Sequence, residues 1–444
     1  MIFCLGMIIS AQTDFSSVYF VLSLYIFCIF TEIWWISRNC VPLHRKKFSV
    51  KMKKQTTAIS THFARPDAYG SLAMPIYTNV SYEFDDAQQM ADAFTGKLDA
   101  PNYGRVVNPT VTNLEHRVRE LTGAAHVTAY NSGMAAISNA LFAVVAQGKN
   151  IVTSRHLFGN TLALITTTLM PFGVKPRLRD LTDIEAVEKA VDENTCCIFL
   201  EIVTNPQLEV ADLQALSYIA HSKGIPLIAD STVIPFIETS LNSLGVDIEV
   251  VSSTKYISGG GTSLGGLVID YGTFPNINKR IKSDLIYNLG AYMSPYSAYQ
   301  QTLGLETLDV RYQRQAANAL AVAEGLKDVD GIERVTYIGL KDNPFYELAR
   351  KQFGPTSGAM LTIDLASKEA CFRFINRLRV FHRATNLFDS RSLVIHPAST
   401  IFGFFPERQL EQMDVRQTTI RLSIGLEDPE DLLEDIRQAV KSER

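Results

Sequence analysis

Lys255 is the residue of this sequence best placed for covalent chemistry. It follows the run Asp247-Ile-Glu-Val-Val-Ser-Ser-Thr254, which reads as a strand, and precedes Gly259-Gly-Gly-Thr-Ser-Leu-Gly-Gly266. A lysine where a strand opens into a glycine-rich loop has room for a bulky planar adduct on its amine. Schiff-base chemistry needs such a lysine to have its pKa lowered by desolvation or neighbouring charge. A surface lysine beside a flexible turn is the other reading of the same pattern. Asp230 ends the apolar run Pro226-Leu-Ile-Ala, and open α/β sheets bind ligands at the carboxyl ends of their strands. A buried carboxylate there can keep a pyridine nitrogen protonated, so that the ring draws electrons. Capping a following helix is the competing role.

Other residues offer anion binding. Tyr130-Asn-Ser-Gly-Met-Ala-Ala136 is a strand followed by a turn of small residues that opens a helix. Free backbone N–H groups and the positive end of the helix dipole make a phosphate seat at such a start, here at Gly133 and Met134. The alternative is an ordinary tight turn. Tyr103-Gly-Arg-Val-Val-Asn-Pro-Thr110 presents a phenol and, at Arg105, a guanidinium, which together can grip a phosphate or belong to a solvated loop. Arg421 lies inside the apolar run Thr419–Ile424, where a cation is costly unless an anion meets it. That anion can be a ligand carboxylate or a carboxylate of the protein itself.

The elements that must position these groups alternate. Strands are expected at His126–Tyr130, Asn150–Ser154, Cys196–Val203, Pro226–Ser231, Asp247–Thr254 and Gly265–Asp270. Helices are expected at Met134–Val145, Asp183–Val191 and Leu213–His221. This rhythm predicts an α/β domain on a large, mostly parallel sheet, spanning residues 108–305. Residues 306–444 read as a smaller α+β domain: a long helix at Asp309–Leu326, strands at Ala359–Leu365, Ser392–Pro397 and Thr419–Ile424, and helices at Lys368–Arg379 and Pro429–Lys441. Asp428 is placed to cap the last of these. Residues 52–107 show little regular pattern and are expected to form an arm that wraps a partner subunit.

Composition narrows the function classes. With 444 residues, 46% hydrophobic, the chain can bury large cores. A formal net charge of −4 with well-mixed signs gives no basic face for nucleic acid. The six cysteines lack C-x-x-C spacing, so no metal site is expected, and Cys196 and Cys197 read as small core residues on opposite faces of a strand. A reducing compartment, the cytoplasm, fits this usage. The first 51 residues differ from the rest: Phe15–Thr31 is apolar and His44-Arg-Lys-Lys47 is basic, the pattern of a membrane anchor. Met52-Lys-Lys-Gln-Thr is itself an ordinary start for a soluble chain, so an over-long start assignment is the favoured reading.

In order and spacing these motifs are specific. Met74-Pro-Ile-Tyr77, the Tyr103 motif through Leu114-Glu115, Ser132-Gly-Met134, Thr204-Asn-Pro206, Asp230-Ser-Thr232, Ser252-Ser-Thr-Lys-Tyr256, His396-Pro397 and Arg421-Leu-Ser-Ile-Gly-Leu-Glu427 follow one another along the chain. From about Thr57 to Leu433 the sequence resembles the trans-sulfuration (Cys/Met metabolism) family of pyridoxal-phosphate enzymes, of the aspartate-aminotransferase-like fold (fold type I). The resemblance implies that Lys255 carries pyridoxal 5'-phosphate as a Schiff base and then shuttles protons at the substrate's α and β carbons. It implies that Asp230 holds the pyridine nitrogen and Asn205 the ring's phenolic oxygen. Gly133, Met134, Ser252 and Thr254 would hold the phosphate, with Tyr103 and Arg105 supplied by a neighbouring subunit. Arg421, helped by Ser392, would clamp the substrate carboxylate. A dimer at least, and usually a tetramer, goes with that arrangement.

The departures refine the expectation. Where many members place a tyrosine over the cofactor ring, this chain has Phe158, in His156-Leu-Phe-Gly-Asn-Thr161. Phenylalanine stacks but donates no proton, unless Tyr103 or Tyr256 supplies it instead. Ser231 stands where asparagine is usual, and Ile401-Phe402 where a Thr-His pair often follows. A departing carboxylate (pKa about 4) needs a proton far less than a departing thiolate (about 8.5). The expected function is therefore γ-replacement on O-acetyl- or O-succinylhomoserine by sulfide or a small thiol. The alternatives are cystathionine synthesis with cysteine, or elimination of the methionine or cystathionine γ-lyase type.

Overall fold

The computed structural model describes residues 52–64 and 67–441. The apolar and basic segment before Met52 lies outside the described residues. The described residues from Lys53 onward form one compact unit built on two sheets.

The larger sheet contains β1 (His126–Tyr130), β2 (Asn150–Ser154), β3 (Lys175–Arg179), β4 (Thr195–Glu201), β5 (Leu227–Asp230), β6 (Ile248–Val251) and β7 (Gly266–Asp270). Their order across the sheet is β1-β7-β6-β5-β4-β2-β3. Every neighbouring pair is parallel except the two made by β7, which runs against both β1 and β6. Successive residues feed opposite faces, as a pleat requires. Ile198 and Leu200 of β4 join one core with helices Pro109–Thr122 and Leu213–Ser222, while Phe199 joins another with helix Gly133–Phe142. Both faces are dry, which is why these strands read as continuous apolar runs rather than alternating ones.

The free thiols Cys196 and Cys197 depart from the expected opposite faces, for both pack against the second core. The register between β2 and β4 shifts at Asn150/Ile151, beside them. The extra residue of such an irregularity breaks the strict alternation.

The smaller sheet contains β8 (Arg334–Thr336), β9 (Met360–Asp364), β10 (His382–Arg383), β11 (Leu393–Ile395) and β12 (Thr419–Ser423), in the order β10-β11-β12-β9-β8. Helix Leu308–Leu326 buries Leu308, Tyr312, Ala319 and Leu326, and helix Pro429–Lys441 packs on it. Asp428 accepts the Glu430 N–H (3.0 Å) at the start of that last helix, as its sequence position predicted.

Three differences from the sequence pattern have plain causes. β3 lies at the sheet edge, half-exposed, so Lys175-Pro-Arg-Leu-Arg179 carries charges and a proline instead of an apolar run. Helix Pro295–Glu306 has almost no apolar stripe, because its buried face includes Gln301 and Thr302 and its exposed face carries Tyr296 and Leu303. The arm includes helices Lys54–Ser60 and Ala87–Phe94. The first of these is tied to its own chain: Lys54 Nζ donates to the Phe236 and Thr239 carbonyls (2.6 and 3.2 Å), and Arg117 donates to the Ala58 carbonyl (2.9 Å).

Gly304, in helix Pro295–Glu306, underpins the turn after Lys255, since a β-carbon there would sit 1.9 Å from the Ile257 carbonyl oxygen. Gly304→Ala is expected to destabilise the fold by about 1–3 kcal/mol through overpacking and to loosen cofactor retention. Thermal unfolding and dialysis of the loaded protein check both.

Candidate active site

A cavity of about 530 Å³ opens at the carboxyl ends of β4, β5 and β6, beside the start of helix Gly133–Phe142. Thr385, Leu387, Thr400, Ile401 and Arg421 wall it from the side of the smaller sheet. A second cavity of about 410 Å³, near Arg334 and Arg416, is lined by no lysine, histidine or cysteine.

The helix start supplies one wall. Ser132 caps it by accepting the Ala135 N–H (3.2 Å), leaving the first N–H groups at Gly133 and Met134 beside the cavity. Only glycine fits at 133, where a β-carbon would meet Ser252 Cβ and Oγ at 2.7 Å. Ser252 and Thr254 line the same corner, the Thr254 hydroxyl donating to and accepting from Gly265 main chain (3.1 and 3.0 Å). Helix dipole, bare N–H groups and hydroxyls together suit a phosphate.

Lys255 follows β6 at the opposite side of this corner. Its amine donates to Asn386 Oδ1 (2.9 Å). Burial, reinforced by Arg421 and opposed by Asp230, lowers the amine pKa to about 8, so a useful fraction is neutral near physiological pH. Asp230 ends β5 and accepts the Thr232 N–H (2.9 Å). Burial raises its pKa, while Thr232 and the charge of Lys255 hold it down. A cationic ring nitrogen at Asp230 would favour its charged form further.

Glu201 ends β4 in register with Asp230. Its Oε1 accepts the Phe158 N–H (2.6 Å) and its Oε2 the Asn205 N–H (3.3 Å). Burial and the neighbouring Asp230 raise its pKa to about 8. Phe158 itself lines the cavity without a hydroxyl.

Arg421 is 2% exposed in the middle of β12. It donates to Asn205 Oδ1 (3.0 Å) and to the Thr385 and Asn386 carbonyls (both 3.3 Å), and its Nε has no partner. Every partner is a neutral oxygen, and burial lowers its pKa to about 9. A buried guanidinium in this state is short of an anion.

Of the residues singled out in the sequence, Gly133, Met134, Phe158, Asn205, Asp230, Ser252, Thr254, Lys255 and Arg421 converge on this cavity. Tyr103 and Arg105 do not line it within one chain. Tyr103 is exposed, with Arg105 stacked over its ring (5.4 Å) and donating to the Tyr287 carbonyl. Ser392 does not line it either: its hydroxyl donates to Glu427 (2.8 Å) and accepts the Gly425 N–H (2.9 Å). Tyr256 is buried against Phe388, rings stacked at 4.1 Å, outside the cavity lining. Two residues of the site, Glu201 and Asn386, are not among those the sequence motifs single out. Glu201 carries a signal, a carboxylate at the end of an apolar run like that of Asp230. Asn386 sits in a loop and carries none.

A mostly parallel sheet whose strand ends present a buried lysine, a carboxylate and a phosphate-sized seat at a helix start defines a pyridoxal-phosphate enzyme, and these residues fit that cofactor. The chain belongs to the Cys/Met metabolism PLP-dependent enzyme family, whose model matches residues 55–441. It is 33% identical over 397 residues to the O-acetyl-L-homoserine sulfhydrylase of Corynebacterium glutamicum, covering 82% of this chain and 91% of that protein. It is 36% identical over 399 residues to the L-methionine gamma-lyase of Fusobacterium nucleatum, covering 88% of this chain and 100% of that one. The O-succinylhomoserine sulfhydrylase of Pseudomonas aeruginosa is 36% identical over 369 residues, 82% of this chain and 90% of that protein. Among solved structures, a protein of Campylobacter jejuni assigned as an O-acetylhomoserine (thiol)-lyase, containing N'-pyridoxyl-lysine-5'-monophosphate, superposes with a TM-score of 0.84. It is 33% identical and covers 88% of this chain and 100% of that one. The fold is that of the type I pyridoxal-phosphate enzymes.

Arg421→Leu is expected to weaken amino-acid binding about 100-fold, the size of two lost charge-assisted hydrogen bonds, while the cofactor stays bound. Absorbance titration of the loaded variant with a non-reacting amino acid measures this. In cofactor-free protein, capture of pyridoxal phosphate requires the neutral Lys255 amine. The capture rate should rise with pH and level off above about 8, well below the ordinary lysine value of 10.5. Stopped-flow absorbance across that range checks the sign.

Proposed function

We propose that this enzyme catalyses γ-replacement on an O-acylhomoserine, acetyl or succinyl, with sulfide or a small thiol, giving homocysteine or a thioether. The observation that carries the reading is Phe158, an apolar ring in the cavity wall where a proton donor would serve a thiolate leaving group. The titratable residues lining the described cavity are Glu201, Asp230, Lys255 and Arg421. Both Glu201 oxygens already accept main-chain N–H groups, Asp230 is held by Thr232, and Arg421 is taken up by Asn205 and the Thr385 and Asn386 carbonyls. Lys255 is committed to proton transfer at the α and β carbons, which leaves no group of this wall dedicated to protonating a departing sulfur at the γ carbon. A carboxylate leaves without such help, because its conjugate acid is about as strong as an aspartate side chain.

The residues divide the work. Arg421 grips the substrate's α-carboxylate and so aims the α-hydrogen at Lys255. The neutral Lys255 amine would take the α proton, give it up before taking the β proton, and return a proton to each carbon at the end. Asp230 would keep the ring nitrogen of the cofactor cationic, Asn205 would hydrogen-bond its phenolic oxygen, and the Gly133–Met134 helix start with Ser252 and Thr254 would hold its phosphate. Pyridoxal phosphate, when bound, supplies an aldehyde for the substrate amine and a conjugated ring that delocalises the electrons left by each departing proton. Phe158 would shield the bound cofactor from water and keep its part of the cavity wall apolar, which suits entry of a soft sulfur nucleophile.

A second reading is elimination of the methionine γ-lyase type, favoured by the 36% identity to the Fusobacterium enzyme. We also place the enzyme in the cytoplasm as a dimer or a tetramer of two dimers. The exposed Tyr103 and Arg105, which do not reach their own cavity, support completion of each phosphate site by a neighbouring subunit. Among the described residues no helix is long and apolar enough to cross a membrane.

Product analysis with O-acetylhomoserine, with and without sulfide, tests the reading. Homocysteine should form rapidly with sulfide, and little 2-oxobutyrate should form without it. Comparable 2-oxobutyrate from methionine would overturn γ-replacement as the main activity. Phe158→Tyr should raise elimination from methionine by about tenfold or more, by restoring a general acid at the leaving group.

A further inference from the structure

We propose that Asn386 is a positioning residue that aims the lone pair of the Lys255 amine and ties that amine to the carboxylate grip of Arg421. The inference rests on Lys255 as the reactive amine and Arg421 as the carboxylate binder. It is independent of whether replacement or elimination dominates.

Asn386 lies between β10 and β11, in a loop that touches both groups. Its Oδ1 accepts from Lys255 Nζ at 2.9 Å, and its main-chain carbonyl accepts from Arg421 Nη2 at 3.3 Å. The orientation of its carboxamide is determined by its other neighbour. Nδ2 donates to Asp389 Oδ2 (3.4 Å), and a carboxylate only accepts. Oδ1 must therefore face Lys255 whatever the amine's protonation state. Asp389 is fixed in turn by Arg391, through Nε to Oδ1 (2.8 Å) and Nη2 to Oδ2 (3.0 Å), and these bonds keep it ionised. The charged groups facing the amine are Asp230 and Arg421, on the large and small sheet respectively.

The consequence is directional. An acceptor on one side of a neutral amine takes an N–H, so the lone pair points elsewhere, into the cavity where a proton is to be removed. The same loop also holds the chain that follows Lys255: Ser390 N–H and Oγ both donate to the Gly259 carbonyl (2.8 Å each), and Arg391 Nη2 donates to the Gly260 carbonyl (2.7 Å). One loop of the small-sheet region thus sets the base, the backbone behind it and the carboxylate grip in a common frame. A displacement of the base by about 1 Å would be enough to cost catalysis heavily.

The test uses Asn386→Leu, which removes the acceptor at similar volume, and Asn386→Asp, which keeps an acceptor and adds charge. The pH midpoint of Lys255 in the cofactor-free full-length protein is read by competitive amine labelling and mass spectrometry. Removing an acceptor from the ammonium form should lower the midpoint by about one unit, and adding a carboxylate should raise it by about one unit. In the loaded protein, exchange of the α-hydrogen of a non-reacting amino acid in D2O, followed by NMR, should fall about tenfold in Asn386→Leu. Its binding constant, set by Arg421, should stay close to wild type. A purely structural role would not move the two midpoints in opposite directions. Unmoved midpoints with undiminished exchange would overturn the proposal, and if Asn386→Leu does not fold, an unmoved midpoint in Asn386→Asp overturns it alone. Failure of the γ-replacement reading would show instead in the products, which these readouts do not use.

Discussion

Arg421 is a cation held at 2% exposure with neutral oxygens as its partners, and the arrangement around the cavity follows from how that is tolerated. A buried guanidinium without a counter-ion is stable only when several dipoles converge on it. Here the dipoles come from both sheets: the Asn205 side chain from the large one, and the Thr385 and Asn386 carbonyls from the loop before β11. Packing the two sheets together and solvating Arg421 are therefore one event. The result is a positive seat, already desolvated, on the wall of the cavity.

The same dryness acts on the neighbouring charges. It pushes the Lys255 amine down to about 8, with Arg421 reinforcing the shift, and pushes the carboxyls of Asp230 and Glu201 up. Two carboxylates in register on adjacent strands cannot both ionise cheaply. Hydrogen bonds separate their roles: Glu201 is saturated by the Phe158 and Asn205 N–H groups and acts as a brace, while Asp230 has the cation of Lys255 nearby. Glu201 also fixes the backbone of Phe158, an apolar ring in the cavity wall. Sulfhydrylases and a methionine gamma-lyase match this chain at similar identity, 33–36%.

Much of this architecture is legible in the amino-acid sequence. Strands β1 and β2 and helix Pro429–Lys441 fall on the residues expected, and β4 to β7 differ only at their ends. Buried parallel strands carry an unbroken apolar run, so their pattern survives without knowledge of their neighbours. β3 escapes because edge strands carry charge and proline, and Pro295–Glu306 because polar residues sit on its buried face and apolar ones on its exposed face. Ser392 is expected beside the substrate, yet Glu427 takes its hydroxyl. A buried serine will bond whichever carboxylate the packing delivers, and the strand pattern around it holds no record of which.

What the sequence alone determined are the groups whose placement is local. Asp230 stands at the end of its own strand, Lys255 between a strand and its glycine loop, and Gly133 at the first turn of its helix. In each case chain direction and the adjoining apolar run aim the side chain. What only the tertiary structure decided are the bonds that make these groups a site. Arg421 meets Asn205 across 216 residues, Lys255 meets Asn386 across 131, and both bonds run between the large-sheet and small-sheet regions. Such meetings depend on how two sheets dock and how a loop between them closes, and a loop polar residue such as Asn386 has no periodicity from which its partner can be inferred.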